Sequence, residues 1–207
     1  MTTTTNLNDL AKQIHENAKA KGFYDEPRNT GELFMLMVSE LGEALDADRK
    51  GKRCRIRNFE KWMEQTADHN FANNFEVDIK GTFEEEIADV AIRILDYCAF
   101  SNIVISHDLF DDIDDECNTE NIGEYLLSIT GSLFYASISA KGIDLQQDLG
   151  LYQQVITEEK EELSMELHEA IAKLFGLAET LGFDLIQHIE LKMKYNATRE
   201  HKHGKKY

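Results

Sequence analysis

The apolar and polar residues of this chain alternate with the three- and four-residue spacing of amphipathic α-helices. Six segments have this pattern: 7–21, 29–50, 83–100, 122–140, 157–181 and 184–198. Residues 52–81, between the second and third of these segments, are the least regular part of the chain. The pattern predicts an all-α fold, a bundle of about six helices in a single domain that spans 1–207.

The segment 29–50 has a strongly apolar first half. Residues 33–38 are all apolar, which is typical of a helix in the middle of a core and not of one on a surface. Glu40 and Glu43 follow shortly after this run, and residues three apart share one face of a helix. Because a buried carboxylate is costly without a cationic partner, these two side chains indicate a site for a cation.

A second carboxylate pair, Glu86 and Asp89, has the same spacing in the helix predicted at 83–100. Two antiparallel helices of a bundle, each with such a pair, can direct four carboxylates to one point. Four oxygen ligands on rigid helices suit Mg²⁺, and Mn²⁺ accepts the same ligands. Two alternatives remain open: the pairs lie on solvated faces, or Arg93, four residues after Asp89, simply pairs with it.

Composition limits the classes of partner. The chain of 207 residues has one proline and a net charge of −17 at pH 7. This charge argues against electrostatic binding to nucleic acid or to an anionic membrane, and it serves either solubility or the binding of divalent metal. The cysteines, Cys54, Cys98 and Cys117, lack metal-ligand spacing and predict free thiols in a reducing compartment. Because the sequence has no signal-peptide pattern and no membrane-spanning stretch, we expect a cytoplasmic protein.

Three further segments have their own signals. The basic run 50–57 is either a phosphate clamp or a group of positive charges at the C-terminus of the second helix, where they meet the negative end of its dipole. The aromatic residues that follow, Trp62, Phe71 and Phe75, either stack on a nucleobase or form a local hydrophobic cluster. The acidic segment 107–120 lacks the turn glycine and ligand spacing of a calcium loop, so it predicts a solvated linker.

The two halves of the chain resemble each other weakly. The motif NTGE at 29–32 opens the second predicted helix, and NIGE at 121–124 opens the fourth. With these motifs aligned, Ser132 falls on Glu40, Tyr135 on Glu43 and Lys141 on Arg49. A second alignment, shifted by a deletion, places Glu166 on Glu86 and Glu169 on Asp89. This echo is either a chance similarity of amphipathic helices or a degenerate duplication. In the second case 7–100 is the half with the carboxylates, 101–120 an acidic linker and 121–207 a degenerate half.

The order of the two carboxylate pairs resembles a known family. Glu40-x-x-Glu43, a loop and then Glu86-x-x-Asp89 are similar to the signature of the all-α nucleoside triphosphate pyrophosphohydrolases, the MazG-like superfamily. Its relatives include the dimeric dUTPases, the dCTP pyrophosphatases and the phosphoribosyl-ATP pyrophosphohydrolases. The flanking segments 14–52 and 182–207 also look like the two ends of compact members.

This resemblance implies an α-helical bundle that cleaves a nucleoside triphosphate between the α and β phosphates, giving the monophosphate and pyrophosphate. It implies a homodimer or a higher homo-oligomer, and Mg²⁺ held by Glu40, Glu43, Glu86 and Asp89. Either Glu40 or Glu43 then holds the attacking water. It also points to substrate contacts near the C-terminus: Lys192 and Asn196, then Tyr195 and Arg199, and more loosely His201, His203 and Lys205.

The chain departs from the compact family in two places, the long segment 52–81 and the additional residues 101–180. The preferred base therefore stays open. A non-catalytic nucleotide-binding or scaffold protein with a degenerate site is the main alternative function. A carboxylate-bridged di-iron bundle is a weaker one, because that site has Glu-x-x-His on two helices and neither pair here has the histidine.

Overall fold

The computed structural model describes residues 6–65, 70–106, 121–150 and 153–204, without the side chains of 153–156 and His203. The described residues form eight α-helices: α1 (Leu7–Ala20), α2 (Thr30–Arg49), α3 (Ile56–Gln65), α4 (Phe71–Asp78), α5 (Phe83–Phe100), α6 (Ile122–Asp148), α7 (Gln153–Leu181) and α8 (Leu185–Thr198). A short 3₁₀ helix follows at His201–Gly204. The all-α class predicted from the sequence is confirmed.

The number of helices differs from the prediction of about six. The two additional helices, α3 and α4, lie in the segment 52–81, where the sequence shows no clear pattern. They have 10 and 8 residues, and helices this short depend on tertiary packing for their stability. α6 also continues beyond its predicted end at residue 140. It passes through Gly142, where a Cβ would lie 3.2 Å from the carboxylate of Glu159 on α7, so the helices approach closely at that point.

Asparagine side chains begin both of the helices that share the NxGE motif. The N–H of Glu32 donates to Oδ1 of Asn29 at 3.1 Å, and the N–H of Glu124 donates to Oδ1 of Asn121 at 3.1 Å. Each bond satisfies a backbone donor that a helix N-terminus leaves without a partner. The N-termini of α2 and α6 are therefore fixed by the same local chemistry.

One hydrophobic core connects both halves of the chain. α2 packs against α5 and α6, α6 packs against α7, and α1 and α8 flank α5. Its buried members include Met37 of α2, Ile87 of α5, Leu133 of α6 and Leu167 of α7. The apolar run at 33–38 contributes Leu33, Phe34 and Met37 to this core. α2 and α5, the two helices with the predicted carboxylate pairs, are thus held side by side.

A smaller hydrophobic cluster lies between α3, α4 and α8: Phe59, Phe71, Phe75, Ile79 and Tyr195. Phe71 and Phe75 are almost fully buried in it and offer no ring face to a ligand. For these two residues the structure therefore supports the local cluster and not the base-stacking alternative. Trp62 of α3 is about half exposed, at 51 %.

Aligned residues of the two halves occupy matching places between α2 and α6. One surface groove there is lined by Asn29, Gly31 and Lys141, among others. A second groove is lined by the residues aligned with those three, Asn121, Gly123 and Arg49. The start of each helix thus lies beside the end of the other, as an approximate two-fold relation requires. The internal duplication stays a prediction, and these paired contacts support it.

The remaining expectations concern the thiols and the membrane. Cys54 and Cys98 are free, and burial raises the pKa of Cys98 to about 12. Among the described residues, no helix combines the length and the apolar character that crossing a membrane requires. The predicted acidic linker at 107–120, Cys117 and Lys205 lie outside the described residues.

Candidate functional site

Carboxylates of α2 and α5 converge at one place where the two helices pack together. Glu40 and Glu86 are buried, whereas Glu43 is exposed. Each of the three places a carboxylate oxygen within 4.8 Å of the others. The spacing of three residues within each helix, together with the packing of α2 on α5, brings the predicted side chains to one place.

A second trio of acids shares Glu86 with the first. Glu85, Glu86 and Asp89 also have carboxylate oxygens within 4.8 Å of one another. The predicted quartet is therefore arranged as two overlapping groups, and Glu85 is a fifth member that the sequence analysis missed. A signal for it exists, because Glu85 and Asp89 are four residues apart and share a face of α5.

Lys192 of α8 supplies a buried cation to the second trio. Its Nζ contacts Oδ2 of Asp89 at 2.5 Å and also donates to Oε1 of Glu85. Burial disfavours the ammonium, but the charges of Asp89 and Glu85 outweigh this effect and raise the pKa of Lys192. The residue predicted to contact phosphate thus lies beside the carboxylates and is paired with two of them.

Arg93 of α5 supplies the cation for the first trio. Its guanidinium donates to Oε1 of Glu40 at 3.0 and 3.2 Å. Sequence spacing had offered a pairing of Arg93 with Asp89, and the structure places the guanidinium on α2 instead. The second half has a related contact: Nζ of Lys173 donates to Oγ of Ser132, the residue aligned with Glu40, at 3.1 Å. The second half thus has the cation Lys173 at this place, although the hydroxyl of Ser132 stands where the first half has the carboxylate of Glu40.

The pKa values of the cluster report crowding of negative charge. Burial, followed by the charges of Glu85 and Asp89, raises the pKa of Glu86 to about 8. Burial and the charge of Asp89 also raise the pKa of Glu40, and Arg93 offsets only part of that rise. Five carboxylates share two basic side chains in this region, so the site has a deficit of positive charge. A divalent cation bound by carboxylate oxygens would supply it.

A cavity of about 320 Å³ opens beside the cluster, between α1, α2, α5 and α8. Such a volume is in the range of small-molecule sites. Glu40 and Asp89 form the part of its wall that belongs to the carboxylate cluster. Five basic side chains line it: Lys21, Arg28, Arg93, Lys192 and Arg199. Three acidic side chains line it as well: Glu40, Asp89 and Asp96. The cavity thus combines a carboxylate end with an excess of basic groups.

Asp96 anchors a buried polar network on the same wall. Asp89, Arg93 and Asp96 are four and three residues apart and follow one face of α5. Tyr24 donates its hydroxyl to Oδ2 of Asp96 at 2.7 Å, and Nδ1 of His15 lies 2.7 Å from Oδ1. Burial raises the pKa of Asp96, although both partners pull it down. The sequence pattern does not reveal this network, because His15 and Tyr24 are far from Asp96 in the chain.

Two buried polar atoms in the cavity wall lack a hydrogen-bond partner in the described structure. They are Oδ1 of Asn196 and Nε of Arg28. An unsatisfied buried acceptor or donor costs about 1–3 kcal/mol, so groups of this kind tend to meet a ligand or water. Asn196 was predicted from the sequence as a substrate contact, and the structure places it in the cavity.

The other candidates of α8 separate into two locations. Arg199 lines the cavity with Lys192 and Asn196. Tyr195 is buried in the smaller hydrophobic cluster, where its ring stacks on Phe75 with centroids 4.4 Å apart. Its hydroxyl donates to Oε1 of Glu76 at 2.6 Å. The structure therefore does not bring Tyr195 to the cavity with the other three.

The tail after α8 docks on the turn that follows α1. The N–H of Lys202 donates to the carbonyl of Lys21 at 2.8 Å, and Nε2 of His201 lies 3.1 Å from Asp25. Gly22, with a φ of 81°, lies directly under the His201 ring, and a Cβ there would be only 1.9 Å from Nε2. A side chain at this position would thus displace the tail.

The basic run 50–57 is largely neutralised by neighbouring acids. Lys50 pairs with Asp46 at 2.5 Å, Arg53 with Asp48 at 2.5 Å, and Arg55 with Asp78 at 2.9 Å. The Arg53 guanidinium also lies over the Phe83 ring, 4.4 Å from its centroid. None of these three arginine and lysine side chains lines the cavity beside the carboxylates.

Comparison of the chain with protein-family models, with curated proteins and with solved structures gives no match. The function of this chain is therefore inferred from the geometry of the site and from the resemblance of its motifs.

Proposed function

We propose that this chain is a Mg²⁺-dependent nucleotide pyrophosphohydrolase that converts a (deoxy)nucleoside triphosphate into the monophosphate and pyrophosphate. One juxtaposition carries the proposal: a carboxylate cluster adjoins a cavity with five basic side chains in its wall. Carboxylates bind metal, and an excess of basic groups attracts a polyphosphate. The cleavage position, between the α and β phosphates, follows from the resemblance of the two carboxylate motifs to the MazG-like superfamily.

The carboxylate cluster fits a hard divalent cation. Its two trios offer oxygen donors only and share Glu86, whose pKa is raised to about 8 by burial and neighbouring negative charge. The proposed ligands are Glu40, Glu43, Glu86 and Asp89, with Glu85 adjoining them. Bound there, Mg²⁺ or Mn²⁺ would neutralise phosphate oxygens and make a coordinated water more acidic.

The other groups bind the substrate and move a proton. Arg93 and Lys192 line the cavity beside the carboxylates, so they are placed to meet phosphate oxygens, one as a fork of donors and the other as a point charge. Asn196 offers its buried amide oxygen as an acceptor to a sugar hydroxyl. Glu43 is the exposed member of the first trio and is proposed to accept the proton of the attacking water, with Glu40 as the alternative.

The test is an assay of the purified protein with each nucleoside and deoxynucleoside triphosphate in the presence of Mg²⁺. We expect release of pyrophosphate and a monophosphate. Release of orthophosphate would contradict cleavage between the α and β phosphates. Each nucleotide is assayed separately because neither the motifs nor the cavity residues identify the base.

A pair of variants locates the reaction. Glu43→Gln keeps the size of the side chain and removes a proton acceptor and metal ligand, so turnover should fall by at least about 100-fold. Glu169→Gln changes a carboxylate of the second half that lies beside Lys173, and it should retain activity. Activity that survives Glu43→Gln would mean that the catalytic site is elsewhere.

A nucleotide-binding protein without turnover is the second candidate. The contacts of Arg93 with Glu40 and of Lys192 with Asp89 favour it, because both carboxylates have cationic partners without any metal. Calorimetry distinguishes the two functions: nucleotide binding without product, in Mg²⁺ or Mn²⁺, would identify a sensor. The di-iron alternative gains no support, because both carboxylate trios contain only Glu and Asp.

A further inference from the structure

The outer face of α6 is apolar and exposed. Large side chains on this face are between 52 % and 67 % exposed: Leu127, Phe134, Tyr135, Ile138 and Leu145. The opposite side of the helix is buried in the core through Ile129, Leu133 and Ala136. A helix that is apolar on all sides is ordinarily covered on all sides. The described residues of this chain cover only one side of α6.

The spacing along this face is that of a helix–helix seam. Leu127, Gly131, Phe134 and Ile138 follow one another at intervals of four, three and four residues, the alternation found where one helix packs along another. Residues 125–140 contain no charged side chain, although 29 % of the chain is charged. A solvated helix face would ordinarily carry charges. The pattern therefore indicates a partner helix.

The aligned face of α2 has a different character. Gly42, Glu43 and Asp46 occupy the positions of α2 that correspond to Phe134, Tyr135 and Ile138. In the first half these three positions are small or acidic and include a carboxylate of the candidate site, while the exposed Met35 aligns with Leu127. In the second half the same positions hold large apolar residues that do not contribute to the core. Loss of the carboxylate pair is thus accompanied by gain of an exposed apolar surface.

We propose that this face of α6 binds a second copy of the chain, with the two α6 helices antiparallel and Gly131 near the two-fold axis. A two-fold interface needs one surface that is complementary to itself. Around Gly131 this surface has both a depression and a projection. A Cβ built at Gly131 meets no atom within 4 Å, and the exposed Phe134 and Tyr135 project beside it. Residues four before and four after the axis then face each other, so Leu127 of one copy contacts the partner's Tyr135.

The distribution of charge favours this surface over the rest of the chain for contact between two copies. Each chain has a net charge of −17, so two copies repel each other over most of their surfaces. The charge-free stretch 125–140 lets two copies approach without placing acids opposite acids. The same negative charge opposes docking of α6 on an anionic membrane.

The size of the surface also suits a dimer. The largest apolar patch of a typical monomer is about 300–600 Å², and a standard interface buries about 800 Å² on each partner. Five large side chains, each more than half exposed, supply several hundred Å² from α6 alone. Neighbouring polar residues such as Ser128 then form the rim.

Sedimentation velocity of the full chain tests the proposal. The wild type should sediment as a dimer, with twice the 23.7 kDa mass of one chain. Phe134→Glu and Ile138→Glu place charge in the seam and should raise the dissociation constant by at least about 30-fold. Val77→Glu makes the same change at an equally exposed valine on α4, which does not pack against α6, and should leave the dimer intact. Circular dichroism checks that each variant stays helical.

A charge-pairing experiment tests the identity of the partner and the antiparallel arrangement. One variant combines Leu127→Lys with Tyr135→Lys, and another combines Leu127→Glu with Tyr135→Glu. Each should be monomeric alone, and an equimolar mixture should form a heterodimer because every Lys then faces a Glu. A monomeric wild type, which would leave the face to a different protein, overturns the proposal. So does a dimer that survives Phe134→Glu, or a mixture that stays monomeric.

Discussion

The Arg93 guanidinium of α5 directs two donors at a single oxygen of Glu40 on α2, at 3.0 and 3.2 Å. Glu40 is buried and Arg93 is mostly buried, so this contact joins the two carboxylate helices where water does not screen it. In the second half, Lys173 and Ser132 make the corresponding contact without an acid. The ion pair between helices thus occurs in the half that has the candidate site, whereas Lys173 pairs with Glu169 of its own helix.

Arg93→Met should destabilise the metal-free protein by about 3 kcal/mol, because it leaves the Glu40 carboxylate buried without a cation. Urea unfolding in the presence of a chelator measures this change. Lys173→Met is the matched control and should cost less than about 1 kcal/mol, since its acidic partner Glu169 is half exposed. Equal losses for the two variants would contradict the special position of Glu40.

Lys192→Met should be at least as destabilising, about 3–5 kcal/mol, because Glu85 and Asp89 both lose their partner. Adding Glu85→Gln to Lys192→Met should restore part of the stability, since one unpaired carboxylate is then removed. A double-mutant cycle from urea unfolding should give a coupling energy of at least about 1 kcal/mol between Lys192 and Glu85. Additive losses would show that the two side chains do not interact.

Glu86→Gln should stabilise the metal-free protein at high pH. The folded-state pKa of Glu86 is about 8 against an ordinary value of 4.5, so the folded protein retains a proton that the unfolded chain releases. Stability from this group is complete below pH 4.5 and is lost as the pH rises through about 8. Gln does not ionise, so Glu86→Gln does not lose stability in this pH range. It should be more stable than wild type by roughly 2 kcal/mol at pH 9, with no difference at pH 4.

The measurement for Glu86 is urea unfolding from pH 4 to pH 9 with a chelator present. Glu166→Gln, at the aligned position in the second half, serves as the control and should show a smaller pH dependence because its carboxyl is less buried. Added Mg²⁺ should stabilise the wild type at pH 9 and have little effect on Glu86→Gln. A pH-independent difference between wild type and Glu86→Gln would refute the raised pKa.

Tyr195 offers a test that separates packing from substrate contact. Tyr195→Ala removes a buried ring that stacks on Phe75 and should cost about 3 kcal/mol of stability. Tyr195→Phe keeps the ring and loses only the hydroxyl contacts with Glu76 and Lys80. Because Tyr195 does not line the cavity, KM and kcat of Tyr195→Phe should match those of the wild type. A raised KM for nucleotide would instead support the substrate contact that the resemblance implies.

The sequence by itself determined those features that depend on neighbours within a few residues. Helical periodicity predicted the all-α class, α5 at its observed bounds, and α1, α2 and α8 to within one residue at each end. It also predicted α6 and α7, but α6 continues to Asp148 and α7 begins already at Gln153. The NxGE motifs predicted where α2 and α6 begin. The spacing of three residues placed Glu40 beside Glu43 and Glu86 beside Asp89, because a helix fixes which residues share a face.

Only the tertiary structure decided which side chains meet across the core. Arg93 and Glu40 are 53 residues apart in the chain, and Lys192 and Glu85 are 107 apart. A local pattern does not contain such distances, because they depend on how α2, α5 and α8 pack together. The same packing adds Glu85 to the cluster, turns Tyr195 away from the cavity and stabilises α3 and α4. Helix periodicity is a local property, whereas the partner of each buried charge follows from the arrangement of the whole bundle.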